Sequence, residues 1–179
     1  MLRRKKTKIA ALLLSLAMFI LLFTDVSPYD VGIYSHSQPH PHLAYQAYWA
    51  HLAYHFFHAN ALHLFLNLWC FLSCVFLADI SAGKLFAAYL IACTAPALSP
   101  VPTVGFSGVC FALLGFIMWQ SSNKLRYNAY ILASIVLPLA FLPHAVNNLL
   151  HLYCYAVAVI LGAFTQFSQS SQHSQSSQL

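Results

Sequence analysis

An all-α membrane protein, built as a bundle of six transmembrane helices, is the fold class that this sequence predicts. Three observations carry that expectation. Of the 179 residues, 60% are apolar and only 6% carry a formal charge, against about 25% charged in an ordinary soluble domain. The apolar residues fall into six segments separated by short polar breaks and one long loop. The basic residues fall in alternate breaks only. Eight Lys or Arg and three Asp, with no Glu, are too few to cover a soluble surface, which excludes a soluble enzyme, a disordered protein and a nucleic-acid binder. The formal charge of +5 carries less information than the places where the charges sit.

The first segment, Ile9 to Phe23, follows a basic stretch over residues 1–8 that holds Arg3, Arg4, Lys5, Lys6 and Lys8. A signal peptide has the same opening, but Thr24-Asp25-Val26-Ser27-Pro28 contains no small-x-small cleavage site, so the segment reads as an uncleaved first span. The second runs from about His58 to Ala78, the third from Leu85 to Leu98 and the fourth from Ser107 to Gln120. The fifth runs from Tyr127 to Leu142 and the sixth from Asn147 to Phe167. A bilayer core of about 30 Å takes roughly 20 helical residues, so the short middle three are expected inside the bundle. With the N-terminus inside, residues 1–8, 79–84 and 121–126 hold all eight basic residues and the outer loops hold none. That distribution places both termini in the cytoplasm, and the expected location is a bacterial inner membrane. The long outer loop, about residues 24–57, carries Tyr29, Tyr34, Tyr45, Tyr48, Trp49 and Tyr54, rings suited to headgroup depth. The Ser/Gln-rich end, residues 168–179, is expected to be a disordered cytoplasmic tail, which leaves residues 9–167 as the membrane domain. The five cysteines, Cys70, Cys74, Cys93, Cys110 and Cys154, lie in apolar runs without disulfide or zinc spacing and read as packing residues.

Polar side chains inside a membrane are functional candidates by default. Three groups stand out. Gly105-Phe106-Ser107-Gly108 opens the fourth span. It is not the hydrolase nucleophile elbow, which requires glycine where Val109 stands. Pro96, Pro100 and Pro102 before it preclude a helix, so irregular backbone leads to a serine beside the unpaired N–H groups of a helix start. The commoner use of Gly and Ser here is close helix packing. His58, His63 and Asn67 lie at the start of the second span; His63 and Asn67, four apart, share a helix face. For Asn67 alone, an interhelical hydrogen bond is the ordinary reading. Asn148 and His151 open the sixth span, where a lone histidine is more often a packing residue. Spans two, four and six all start at the outer face, however. Ser107 and His151 are therefore expected to meet there as nucleophile and base, with His63 and Asn67 as oxyanion donors. No acidic residue lies near, so the expectation is a dyad.

These residues resemble the rhomboid family of intramembrane serine proteases. His-x4-His-x3-Asn appears as His58, His63 and Asn67. Gly-x-Ser-Gly, with a later aromatic and glycine, appears as Gly105, Ser107, Gly108, Phe111 and Gly115, and Asn-x-x-His appears as Asn148 and His151. Trp49 stands nine residues before the first histidine. The resemblance spans Trp49 to Gly162 in order. It implies a six-helix rhomboid-like bundle with Ser107 as nucleophile and His151 as general base. It further implies an oxyanion hole from the Ser107 N–H, His63 and Asn67, with Phe111 stacked on His151. The fifth helix and the loop around Pro143-His144 would form a movable gate and cap. The sequence departs from the family at Ala50, where Arg is usual, and at Cys154, where Gly is usual. Cys154, Ala158 and Gly162 still make a small-residue face for the sixth helix to approach the fourth.

The implied function is hydrolysis of peptide bonds in or beside transmembrane segments of membrane proteins, with no cofactor, the bilayer and transmembrane substrates as partners, and no nucleic acid. The alternative is a catalytically inactive rhomboid-like protein that binds transmembrane clients; retention of both Ser107 and His151 argues against it. A metal or haem protein is a third reading, from ten histidines that include His36, His40, His42, His51 and His55. They lie in the outer loop without cysteine or carboxylate partners, so it is the weakest.

Overall fold

The structure, a computed structural model, describes residues 2–35, 48–78, 80–141 and 147–176. It is all-helical. Among the described residues the only extended pairing is one antiparallel bridge between Ile33 and Thr103. Six longer helices follow in order: α1 Leu2–Leu21, α2 Ala61–Leu77, α3 Ala82–Cys93, α4 Ser107–Met118, α5 Lys124–Phe141 and α6 Asn148–Ser176. Each falls on one of the six apolar segments. A single turn at Pro28–Val31 and a 3₁₀ turn at Tyr54–Phe56 occupy the outer loop.

Local chemistry sets several starts. The side chains of Asn60, Ser81 and Asn123 accept hydrogen bonds from the N–H groups of His63 (2.9 Å), Lys84 (3.3 Å) and Arg126 (2.9 Å). These are N-caps that satisfy donors the helix leaves unpaired. Asn147 does the same for α6 through Leu150 N–H at 3.1 Å.

Three expectations differ from the structure. The basic stretch over residues 2–8 belongs to α1 because Lys and Arg are good helix formers, and Lys8 lies over the Phe76 ring at 5.1 Å. α6 runs nine residues past Phe167 to Ser176, where a disordered tail was expected. Adding residues to a formed helix is far easier than starting one. The fifth segment also gives a helix of 18 residues rather than a short one, although Pro138 within it removes one backbone donor.

α4 is the centre of the bundle and packs chiefly on α6, then on α3 and α2. Val109, Cys110, Ala112, Leu113, Gly115, Phe116 and Met118 are all buried around it. The close approach to α6 has a local cause. A Cβ on Gly115 would lie 2.6 Å from the Tyr155 carbonyl oxygen and 2.8 Å from Ala158 Cβ. Cys154 and Ala158 are fully buried, and Trp119 Nε1 donates to the Val159 carbonyl at 2.9 Å beside Gly162. The small-residue face therefore works with cysteine in place of glycine.

The outward faces are apolar. Leu62, Phe65, Leu66, Trp69 and Leu77 of α2 are exposed, Trp69 by 68%. So are Ile9, Leu13, Leu16, Phe19 and Ile20 of α1, and Leu149, Ile160, Leu161 and Phe164 of α6. By length and composition, one described stretch, Asn148–Thr165, suffices to cross a membrane. α2 reaches the length only together with residues 48–56, across an 85° bend, and α3 and α4 are shorter apolar helices.

Candidate active site

The loop before α4 presents Ser107. Its prolines keep residues 95–106 irregular, and the backbone is held from outside instead. Ile33 N–H donates to Thr103 O at 3.1 Å and Thr103 N–H to Ile33 O at 2.9 Å. Gly105 has φ +119°, a conformation that costs other residues strain, and its N–H donates to Tyr54 O at 2.9 Å. Phe106 N–H donates to His58 Nε2 at 3.3 Å, which gives His58 a positional task. The Phe106 ring meets Phe71 edge-on at 4.9 Å. Ser107 is thus the first residue of α4, on a backbone fixed at Thr103, Gly105 and Phe106 by four hydrogen bonds.

His151 approaches from α6. Its Nε2 and Ser107 Oγ are 2.8 Å apart. Phe111, one turn after Ser107, stacks on the imidazole at 4.3 Å between centroids and 22° between planes. The ring is 8% exposed, while Ser107 is half-buried. Among the described residues no carboxylate bonds His151. A serine hydroxyl hydrogen-bonded to a ring nitrogen, with that ring held by an aromatic face, is the geometry for transferring the hydroxyl proton as the oxygen attacks.

His63 and Asn67 turn toward the same backbone. A Cβ at Gly105 would lie 2.7 Å from His63 Nε2 and 3.1 Å from Asn67 Nδ2, so both side chains close on the chain two residues before Ser107. His63 meets His58 edge-on at 5.2 Å. Asn67 is 6% exposed, and its Nδ2 is buried with no hydrogen-bond partner. A buried donor left unpaired costs roughly 1–3 kcal/mol. Asn67 Nδ2 is thus a buried donor left open beside Gly105, two residues before Ser107.

Other residues stand as follows. Gly108 sits against Leu150, with a Cβ there 3.0 Å from Leu150 Cδ2, and so brings the two helix starts together. Asn148 is buried beside the dyad at the first turn of α6. Trp49 is 55% exposed and Ala50 is buried, both in the helical stretch over residues 48–53 of the outer loop. Pro143, His144, His36, His40 and His42 lie outside the described residues. Among the described residues no three His, Cys, Asp or Glu gather as metal ligands. His55 Nε2 instead lies 3.1 Å from His51 O and 3.4 Å from Cys93 Sγ. Sequence reasoning missed Thr103, Tyr54 and the cap Asn147 as site-building residues. Only the cap carried a sequence signal, as an asparagine before an apolar run.

Burial holds the His55 ring far below the ordinary histidine range of 6.5, at about 3. Between those values the unfolded chain binds a proton that the folded chain does not, so stability is full above pH 6.5 and falls as pH drops toward 3. The melting temperature should therefore decline from pH 7 to pH 4.5, and His55→Phe should make that decline smaller. Equal declines in the two proteins would show that His55 does not cause it.

No protein-family model matches the chain, and no curated protein matches it.

Proposed function

We propose that the chain is a rhomboid-type intramembrane serine endopeptidase, hydrolysing peptide bonds in or next to transmembrane segments. The observation that carries this reading is the 2.8 Å contact of Ser107 Oγ with His151 Nε2, with the unpaired buried amide of Asn67 beside Gly105, two residues before the serine. Membrane residence is supported by the apolar outward faces of α1, α2 and α6, since soluble monomers rarely expose contiguous apolar patches larger than a few hundred Å². The six helices then serve as six spans, with the shorter ones shielded by their neighbours.

In the mechanism, Ser107 Oγ attacks the scissile carbonyl carbon as His151 Nε2 takes its proton. The carbonyl oxygen, now an oxyanion, receives hydrogen bonds from Ser107 N–H, His63 and Asn67 Nδ2. His151 then gives the proton to the departing amine, and the C–N bond breaks. Water, deprotonated by His151, cleaves the acyl-serine ester and restores the dyad.

A serine-directed fluorophosphonate probe tests the assignment. It should label wild type at Ser107 and fail on Ser107→Ala. A folded wild type that the probe never labels would favour an inactive protein that binds transmembrane clients.

The topology carries its own prediction. A reporter active only outside the cytoplasm should be active when fused after Pro39 and silent after Lys84, Lys124 or Gln169, because all eight basic residues then lie on the inner side. Activity at Gln169 would mean an odd number of spans.

A further inference from the structure

Above the dyad lies a second contact with the same layout. Asn147 Nδ2 donates to Thr103 Oγ1 at 2.9 Å, and both pairs are 44 residues apart in sequence. Thr103 precedes Ser107 by four residues and Asn147 precedes His151 by four, so each link joins the same two chain segments. Both ends of the upper link are anchored. Thr103 is fixed by its paired bonds to Ile33. Asn147 caps α6 through Leu150 N–H, and its carbonyl accepts from His151 N–H at 3.2 Å. Below the dyad, Gly108 and Leu150 hold α4 and α6 together.

We infer that the Thr103–Asn147 hydrogen bond is a clamp that sets the Ser107–His151 separation, making Thr103 and Asn147 positioning residues for the dyad. Its catalytic consequence rests on the protease reading; the geometry does not. Proton transfer in the attack needs donor and acceptor at hydrogen-bond distance, and a shift of about 1 Å costs up to about 10²-fold in rate. Ile33, Tyr54 and His58 hold the proline-rich loop to the outer loop and the start of α2, whereas the clamp reaches α6, so its loss lets Ser107 shift relative to the His151 ring.

Thr103→Val removes the hydroxyl at equal volume and leaves the α6 cap intact, while Thr103→Ser keeps the hydroxyl. The first measurement is the ¹⁵N resonance of His151 Nε2 in histidine-labelled, detergent-solubilised full chain. Wild type and Thr103→Ser should show a hydrogen-bonded nitrogen, and Thr103→Val a free one. The second is fluorophosphonate labelling of Ser107, expected to slow by about 10–10²-fold in Thr103→Val and to recover in Thr103→Ser, with substrate KM little changed. A bonded His151 in folded Thr103→Val would overturn the clamp whatever the protein's activity, and so would a free one in wild type. Loss of the bond in a protein that never reacts with the probe would retire the protease reading and leave the clamp in place.

Discussion

Ser107→Ala and His151→Ala should each eliminate cleavage of a model transmembrane substrate while the protein still expresses and folds. Loss of nucleophile or base from a serine centre costs on the order of 10⁴–10⁶-fold, which a gel-based assay reads as no product. The two variants should be equally inactive. Oγ and Nε2, 2.8 Å apart, act as one unit, and removing both should add little to removing either. His151→Ala also strips a ring from the face of Phe111, so its melting temperature must accompany the rate. The same pair predicts the response to acid. A protonated His151 cannot take the serine proton, so rate against pH should show a single acidic limb once corrected for the folded fraction. Purified Ser107→Ala that cleaves at the wild-type rate would end the assignment. A flat profile from about pH 4 to 9, across the usual histidine range, would remove the histidine base.

Asn67→Ala should lower kcat by up to about 10²–10³-fold, the usual effect of one oxyanion donor, and less where Ser107 N–H and His63 compensate. It should not reach the inactivity of Ser107→Ala. The structure sharpens this expectation, because Nδ2 has no partner to lose. Deleting an amide that bonded another helix would destabilise the fold, whereas deleting an unpaired one removes a buried desolvated group. The melting temperature should therefore hold or rise while kcat falls. His63→Ala should likewise lose kcat. A falling melting temperature with unchanged kcat per folded molecule would reduce Asn67 to packing.

Much of the candidate site was legible because each of its pieces is local in sequence. His63 and Asn67 share a face by helical spacing alone, Ser107 opens α4 because three prolines precede it, and Asn147 announces the start of α6. The six longer described helices lie on apolar runs in the same way, while the short turns at Pro28–Val31 and Tyr54–Phe56 carried no such signal. What escaped was non-local. That Tyr54 O would hold Gly105, that His58 would accept from Phe106 N–H, or that Thr103 would meet Asn147 depends on how α2, α4 and α6 cross. Those crossings are set by close contacts such as Gly115 against Ala158, which spacing hints at but does not align. The end of α6 escaped for another reason. Ser and Gln read as disorder by composition, but attached to a formed helix they extend it to Ser176.

The shortness of α4 has a consequence for the proposed protease. Twelve residues reach about 18 Å, against a hydrocarbon layer of about 30 Å. In the proposed topology its inner end lies near the cytoplasmic surface, so α4 would act as a post of fixed height, with the attacking oxygen at its top about 12 Å beneath the outer boundary. The protein then measures where it cuts from the inside up, while the outer boundary moves with lipid chain length. The bond reached in a given substrate becomes a property of the surrounding membrane as well as of the enzyme. In a thin bilayer the site would lie almost at the surface and admit water freely; in a thick one it would sit deeper, and the same substrate would present a different residue to Ser107.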